Sequence, residues 1–223
     1  MSSSTKPSYV LRYFPAPGIA EPIRVLLTAA QVEWTEEHPE WPDKKNEQPY
    51  GRLPVLLEKG ADGEVETTFA EGTAIIRYLA RKYGFMPTDL KQATSQEQLA
   101  DFMNDTATTF HLRRYAGEEN KEMIVTKFDD MLDKVLEVST EALRKNGSNG
   151  HFHGDKLSYA DILIYCFIKH LYVQAVQLQE SLPSIVTSKL APEHTKLIKA
   201  VEAEPLLQKY MESTKSLNDM VSQ

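Results

Sequence analysis

One cysteine, Cys166, is all that 223 residues contain, so no internal disulfide can form. Its scarcity fits a reducing compartment. Long apolar runs are missing as well. The longest, residues 162–168 (ILIYCFI), is far below the roughly 20 residues that a membrane-spanning helix needs. Positive charge is in deficit: Lys and Arg total 25 against 32 Asp and Glu, for a net charge of -7. There is no dense Lys/Arg run, which makes the chain a poor nucleic-acid binder. The opening MSSSTKPSYV is polar and lacks the apolar core of a secretory signal. No internal repeat is visible, and no low-complexity tract beyond that short serine-rich start. Together these absences predict a cytosolic globular protein without membrane or nucleic-acid partners.

What is present is ordinary in bulk and specific in order. Charged residues are 26% and apolar residues 41%, as in a typical globular chain. The length is large for one domain and small for two large ones. Residues 9–14 (YVLRYF) read as a strand, broken by Pro15, Pro17 and Gly18. Residues 20–31 read as a helix, with Glu21 and Pro22 in a first turn that favours both. Residues 32–37 are a weaker strand, and 41–50 a proline-punctuated loop or short irregular helix.

The stretch 51–83 is the most informative. It opens on an apolar run headed by Pro54, turns at Gly60 and Asp62-Gly63, and runs on through a second strand pattern to Glu71-Gly72. A helical pattern starts there. Proline is tolerated at the first residue of a strand. The unpaired N–H groups of a helix start suit a carboxylate or phosphate. A peptide-reading edge and an anion-reading helix end thus lie close in sequence, as a site for a small anionic peptide requires. The element order implies a parallel crossover followed by a hairpin.

Beyond 85–89 the pattern turns helical. Residues 95–114 and 121–145 are long amphipathic candidates. Gly147, Gly150 and Gly154 punctuate a loop. Ser158-Tyr159-Ala160-Asp161 has capping-box form, so Ser158 and Asp161 read as structural caps. The helix behind them is apolar nearly all round, hence the buried centre of a helical domain. Cys166 lies within it and reads as a buried structural cysteine. His151 and His153 are two apart with no further nearby Cys or His; a loop role outweighs a metal role.

Taken in order, LRYF at 11–14, GIAE at 18–21, EWPDKK at 40–45, YGRLPVL at 50–56, EGTAIIRYLA at 71–80 and GDKLSYAD at 154–161 resemble the glutathione transferase superfamily. The resemblance covers roughly residues 9–211. It is best to the sigma-like group, which includes haematopoietic prostaglandin D synthases and squid lens crystallins. It implies an α/β thioredoxin-like N-terminal domain over 1–86 and an all-α C-terminal domain over 87–223. It also implies a homodimer, a cis bond before Pro54, and glutathione as co-substrate with no cofactor or metal.

The resemblance carries over to individual residues. Tyr13 is the catalytic candidate, donating its O–H to the glutathione sulfur. A free thiol has a pKa near 8.5, and a hydrogen bond to the thiolate favours it. Leu53 and Pro54 match the strand that pairs with the cysteinyl part, in the manner of strand addition. Glu71 and Gly72 match the pair that grips the γ-glutamyl end, although the family usually has Ser at the second position. Thr73 stands beside them. Trp41, Lys45 and Arg52 match the glycine end. Ile19 stands where sigma-like members often carry Arg, which removes a positive charge beside the sulfur. The acid that reaches across the dimer falls at Thr109, with Asp105, one turn after Asp101, as the substitute. Tyr50 matches an aromatic key into the partner. Phe14, Ile19, His111 and Tyr115 are the candidates for the co-substrate pocket.

The expected activity is addition of the glutathione thiolate to small apolar electrophiles. Two alternatives stay open: a glutathione-dependent isomerase of the prostaglandin D synthase kind, and a non-catalytic crystallin-like protein. Gly72 and Ile19 keep the last alive.

Overall fold

A computed structural model of the chain describes residues 7–113, 115–177, 182–214, 216 and 217. The polar start and Arg114, the expected end of a helix, lie outside them. The chain divides into two compact units, Met1–Phe85 and Met86–Gln223.

The first unit is a mixed four-stranded sheet, β1 (Ser8–Arg12), β2 (Trp34–Glu37), β3 (Val55–Lys59) and β4 (Val65–Ala70), in the order β2-β1-β3-β4. Helix α1 (Glu21–Ala29) makes the crossover that lets β1 and β2 run parallel. β3 is antiparallel to β1, with Val10 opposite Leu57, and β4 closes the hairpin. Alternation along the strands puts Val10, Val55 and Leu57 on one face, packed with Leu53 and Ala70. Helix α2 (Gly72–Lys82) packs on α1.

Strand β1 ends two residues earlier than expected, so Tyr13 and Phe14 lie just past it. The Tyr13 N–H still donates to the Glu37 carbonyl at 3.1 Å, and Pro15 and Pro17 then turn the chain. That leaves the tyrosine on the rim of the sheet rather than inside it. The 41–50 stretch forms two 3-10 turns, Lys45–Glu47 and Pro49–Gly51. The bond before Pro54 is cis, and so is that before Pro42, which the sequence did not signal.

The second unit contains α3 (Leu90–Leu112), α4 (Glu118–Lys145), α5 (Tyr159–Gln177), α6 (Leu182–Lys189), α7 (Pro192–Glu202) and α8 (Gln208–Glu212). Helix α3 starts five residues before the expected position. Asp89 caps it by accepting the Gln92 N–H at 2.9 Å. Its first turn puts Leu90 in solvent and only the small Ala93 inside, so hydrophobic periodicity gives no sign of it. Helix α4 opens on Glu118-Glu119 and closes on Arg144-Lys145, both matched to the helix dipole. Helix α5 packs on α3, α6 and α7, with Tyr159, Ile162, Ile164, Tyr165, Ile168 and Leu171 buried and Cys166 3% exposed. No described helix is long and apolar enough to cross a membrane.

The expected capping box before α5 is half formed. Asp161 accepts from Ser158 N–H at 2.7 Å and from Phe152 N–H at 2.8 Å, and meets His151 Nδ1 at 3.4 Å. The buried Ser158 Oγ makes no hydrogen bond. The carboxylate, not the hydroxyl, ties the glycine loop to the helix. His151 serves that tie, and no group of three or more metal-ligating side chains occurs among the described residues.

Candidate active site

Tyr13 is half-buried, and its hydroxyl is held from below by the following turn. The Ile19 backbone N–H lies near enough to favour its anionic form. Gly18 lies directly beneath: a Cβ there would stand 2.5 Å from the hydroxyl oxygen, and Gly18 has φ +49°. Both features demand glycine. Burial raises the tyrosine pKa above its ordinary value, against the Ile19 N–H and the Arg24 guanidinium, which lower it. The phenol therefore keeps its proton at neutral pH. That proton can be donated to an anion in front of the ring.

The next wall is the start of α2. A Cβ on Gly72 would stand 3.5 Å from Pro54 Cγ and 3.9 Å from the Ile19 carbonyl oxygen. The 18–20 turn, the cis Pro54 and the first residue of α2 thus meet at one place. Glu71, which caps that helix, is exposed and has φ 65°, ψ 110°. A non-glycine residue in this region costs of order 1–3 kcal/mol, and such strain gathers at binding sites. The Glu71 side chain makes no cap hydrogen bond to the helix, and the first N–H groups of a helix have no partner within it and suit an anion. Thr73 is half-buried one residue on.

Aromatic rings continue from Tyr13. Phe14 meets Tyr13 edge-on at 5.4 Å and Trp41 edge-on at 5.5 Å between ring centroids. Phe14 therefore lies between the Tyr13 and Trp41 rings. Leu53 is half-buried and Pro54 buried at the head of β3. Lys45 and Arg52 are exposed, and the Lys45 stem lies 3.6 Å from the Cβ position of Gly51. Tyr50 has φ 55° and is 79% exposed.

The remaining candidates belong to the helical unit. Asp101 and Asp105 lie on an exposed face of α3. Thr109 is turned inward, donating to the Asp105 carbonyl at 2.9 Å with Met131 Sδ at 3.6 Å. The position expected for an outward-reaching acid is therefore a core position here. His111 sets its Nε2 3.2 Å from that of His170. Tyr115 is 84% exposed.

Sequence reasoning missed Gly18, Arg24, Glu36 and His38. The His38 ring Nδ1 bonds the Tyr13 carbonyl at 2.9 Å, and no spacing in the sequence marks it. Arg24 stands in EPIRV as a charge among the buried positions of α1, and that placement is its one sequence signal.

Residues 9–81 match the glutathione S-transferase N-terminal domain, and residues 90–214 the C-terminal domain. The class-mu 28 kDa isozyme of glutathione S-transferase from Schistosoma japonicum is 32% identical over 72% of this chain and 79% of its own. S-crystallin 2 of Enteroctopus dofleini is 27% identical over 91% and 97%. The solved sigma class GST of Fasciola hepatica superposes with a TM-score of 0.70, at 25% identity, over 93% of this chain and 96% of that one. With both domains matched and more than half of the chain in the second alone, the protein belongs to the glutathione S-transferase family.

Proposed function

We propose that this member conjugates the glutathione thiolate to small apolar electrophiles, with Tyr13 stabilising the thiolate. The observation that carries the reading is the Tyr13 hydroxyl, seated directly over Gly18 with its own proton retained. Glutathione would lie along Pro54 with its γ-glutamyl carboxylate at the start of α2, gripped by Glu71 and Gly72. Trp41, Lys45 and Arg52 would hold the glycine end. Phe14, Ile19, His111 and Tyr115 remain the proposed co-substrate residues, and Asp105 the acid offered to a partner subunit. Tyr50, a large ring left in water, suits a homodimer anchor. A cytosolic location goes with this reading.

The test is conjugation of glutathione to a generic aryl halide by the wild type and Tyr13→Phe side by side. Activity that collapses in the variant supports the reading. A folded wild type that is inactive at saturating glutathione overturns it, and favours the crystallin-like alternative. That alternative has one specific support, the near full-length similarity to an octopus S-crystallin.

Two glycines give opposite expectations. Gly18→Ala puts a methyl group into the Tyr13 hydroxyl and should cost about tenfold in kcat, because small displacements of a catalytic group are expensive. Steady-state kinetics beside a thermal melt checks this. Gly72→Ser meets only ordinary contact distances and restores the hydroxyl usual in the family. Glutathione should bind more tightly by about 1 kcal/mol, one net hydrogen bond, as read by calorimetry.

A further inference from the structure

The seven residues from Tyr13 to Ile19 carry the catalytic hydroxyl and the glycine it sits over, yet they form no regular element until Gly18. A polar chain behind them holds them still. The Arg24 guanidinium donates through Nη1 to the Pro17 carbonyl at 2.9 Å and to Glu21 Oε2 at 3.2 Å, and through Nε to Glu36. Glu36 lies on β2, and its other oxygen faces His38 Nε2 at 3.9 Å. The His38 Nδ1 bonds the Tyr13 carbonyl. The turn is thus pinned at both ends, at the Tyr13 carbonyl by His38 and at the Pro17 carbonyl by Arg24. Glu36 links the two pins.

We infer that Arg24, Glu36 and His38 act as a brace of positioning residues that sets the Tyr13 hydroxyl against the glutathione sulfur; this rests on the proposed transferase function. Arginine is required at the centre because its planar fork serves several acceptors at once, which a lysine ammonium does not.

A competing account makes Arg24 an electrostatic aid, since its guanidinium carbon lies 5.8 Å from the Tyr13 ring centroid. Two carboxylates, Glu21 and Glu36, pair with that guanidinium and offset its charge in part, so the brace is argued from the geometry of its hydrogen bonds.

The two accounts predict opposite signs. Arg24→Lys keeps the charge and loses the fork. Glu36→Gln removes a negative charge and weakens the link. The readouts are the pH profile of kcat/KM with an aryl halide, the ultraviolet absorbance of the glutathione thiolate in the binary complex, and a thermal melt. The brace predicts a rise of the thiol pKa in both variants, by about one unit or tenfold at pH 6.5. It also predicts that Arg24→Lys combined with Tyr13→Phe loses little more than Tyr13→Phe alone, because the two act through one group. A fall of the thiol pKa in Glu36→Gln overturns the brace in favour of the field. Equal losses from Arg24→Lys with and without the Tyr13 hydroxyl overturn it in favour of a merely structural role. Should Arg24→Lys not fold, His38→Ala takes its place with the same expectation, since that side chain is largely solvent-facing. A wild type that neither binds nor ionises glutathione removes the functional reading and the brace with it. An active wild type with unmoved variants removes the brace alone.

Discussion

Replacing Tyr13 by phenylalanine is expected to lower kcat/KM for glutathione conjugation about a hundredfold near pH 6.5, with little change in melting temperature. A hydrogen bond to a charged group contributes roughly 1.5–3 kcal/mol, or a factor of about 10 to 150. The ring itself remains, and with it the edge contact to Phe14, so the fold loses little. The deficit should shrink with alkalinity. A free thiol ionises near pH 8.5 without help, so above about pH 9 the two proteins should converge. A pH series of kcat/KM for both checks the sign as well as the size. A deficit that stays constant through pH 9 would mean that the hydroxyl does something other than stabilise the thiolate.

The second large effect concerns stability. His194 is fully buried on α7. Its Nδ1 accepts the Ala191 N–H at 3.1 Å, which leaves the proton on Nε2, 2.8 Å from Ser139 Oγ. Ser139 in turn donates to the Leu136 carbonyl at 3.1 Å. The imidazole is satisfied as a neutral ring that joins α4 to α7, and burial lowers its pKa to about 4, against a small opposing effect of Glu193. The folded value lies below the ordinary 6.5, so its contribution is complete above that pH. It is lost as pH falls from 6.5 towards 4. The lowering corresponds to about 3 kcal/mol by the foot of that window. His151 has the opposite sign: beside Asp161 its pKa is raised, so it stabilises below pH 6.5 and that contribution fades as pH rises through its folded value. Urea unfolding from pH 7.5 to 4.5 should therefore show a steep loss in the wild type. In His194→Asn the slope should be flatter, whatever the change in plateau. Equal slopes in the two proteins would show that the histidine does not carry the acid sensitivity.

How much of this was readable beforehand depends on how local each signal is. The strands, the crossover helix and the hairpin follow from apolar alternation and from turn residues, and they appear within a residue or two. Helix α5 follows from its continuous apolar character. The start of α3 was lost because Asp89 caps a turn whose large apolar residue, Leu90, faces solvent, where periodicity is silent. Tyr13 was proposed from the family resemblance, and Gly72 was marked as well by the helical pattern that starts there. Arg24, Glu36 and His38 were not found. Their meaning lies in contacts between α1, β2 and the loop after β1, and each alone looks like a surface charge. Thr109 misled for a related reason. Its place along α3 was read correctly, but the direction it faces is decided by α4, which places Met131 against it.

A protein that brings a thiolate together with electrophiles risks alkylating itself. The one sulfhydryl of this chain, Cys166, lies in the centre of α5 at 3% exposure, where reagents cannot reach it. Self-inactivation by its own co-substrates therefore has no cysteine to act on while the fold holds. Thiol reagents added to the native protein should report glutathione alone, and labelling of Cys166 becomes a clock for opening of the helical core.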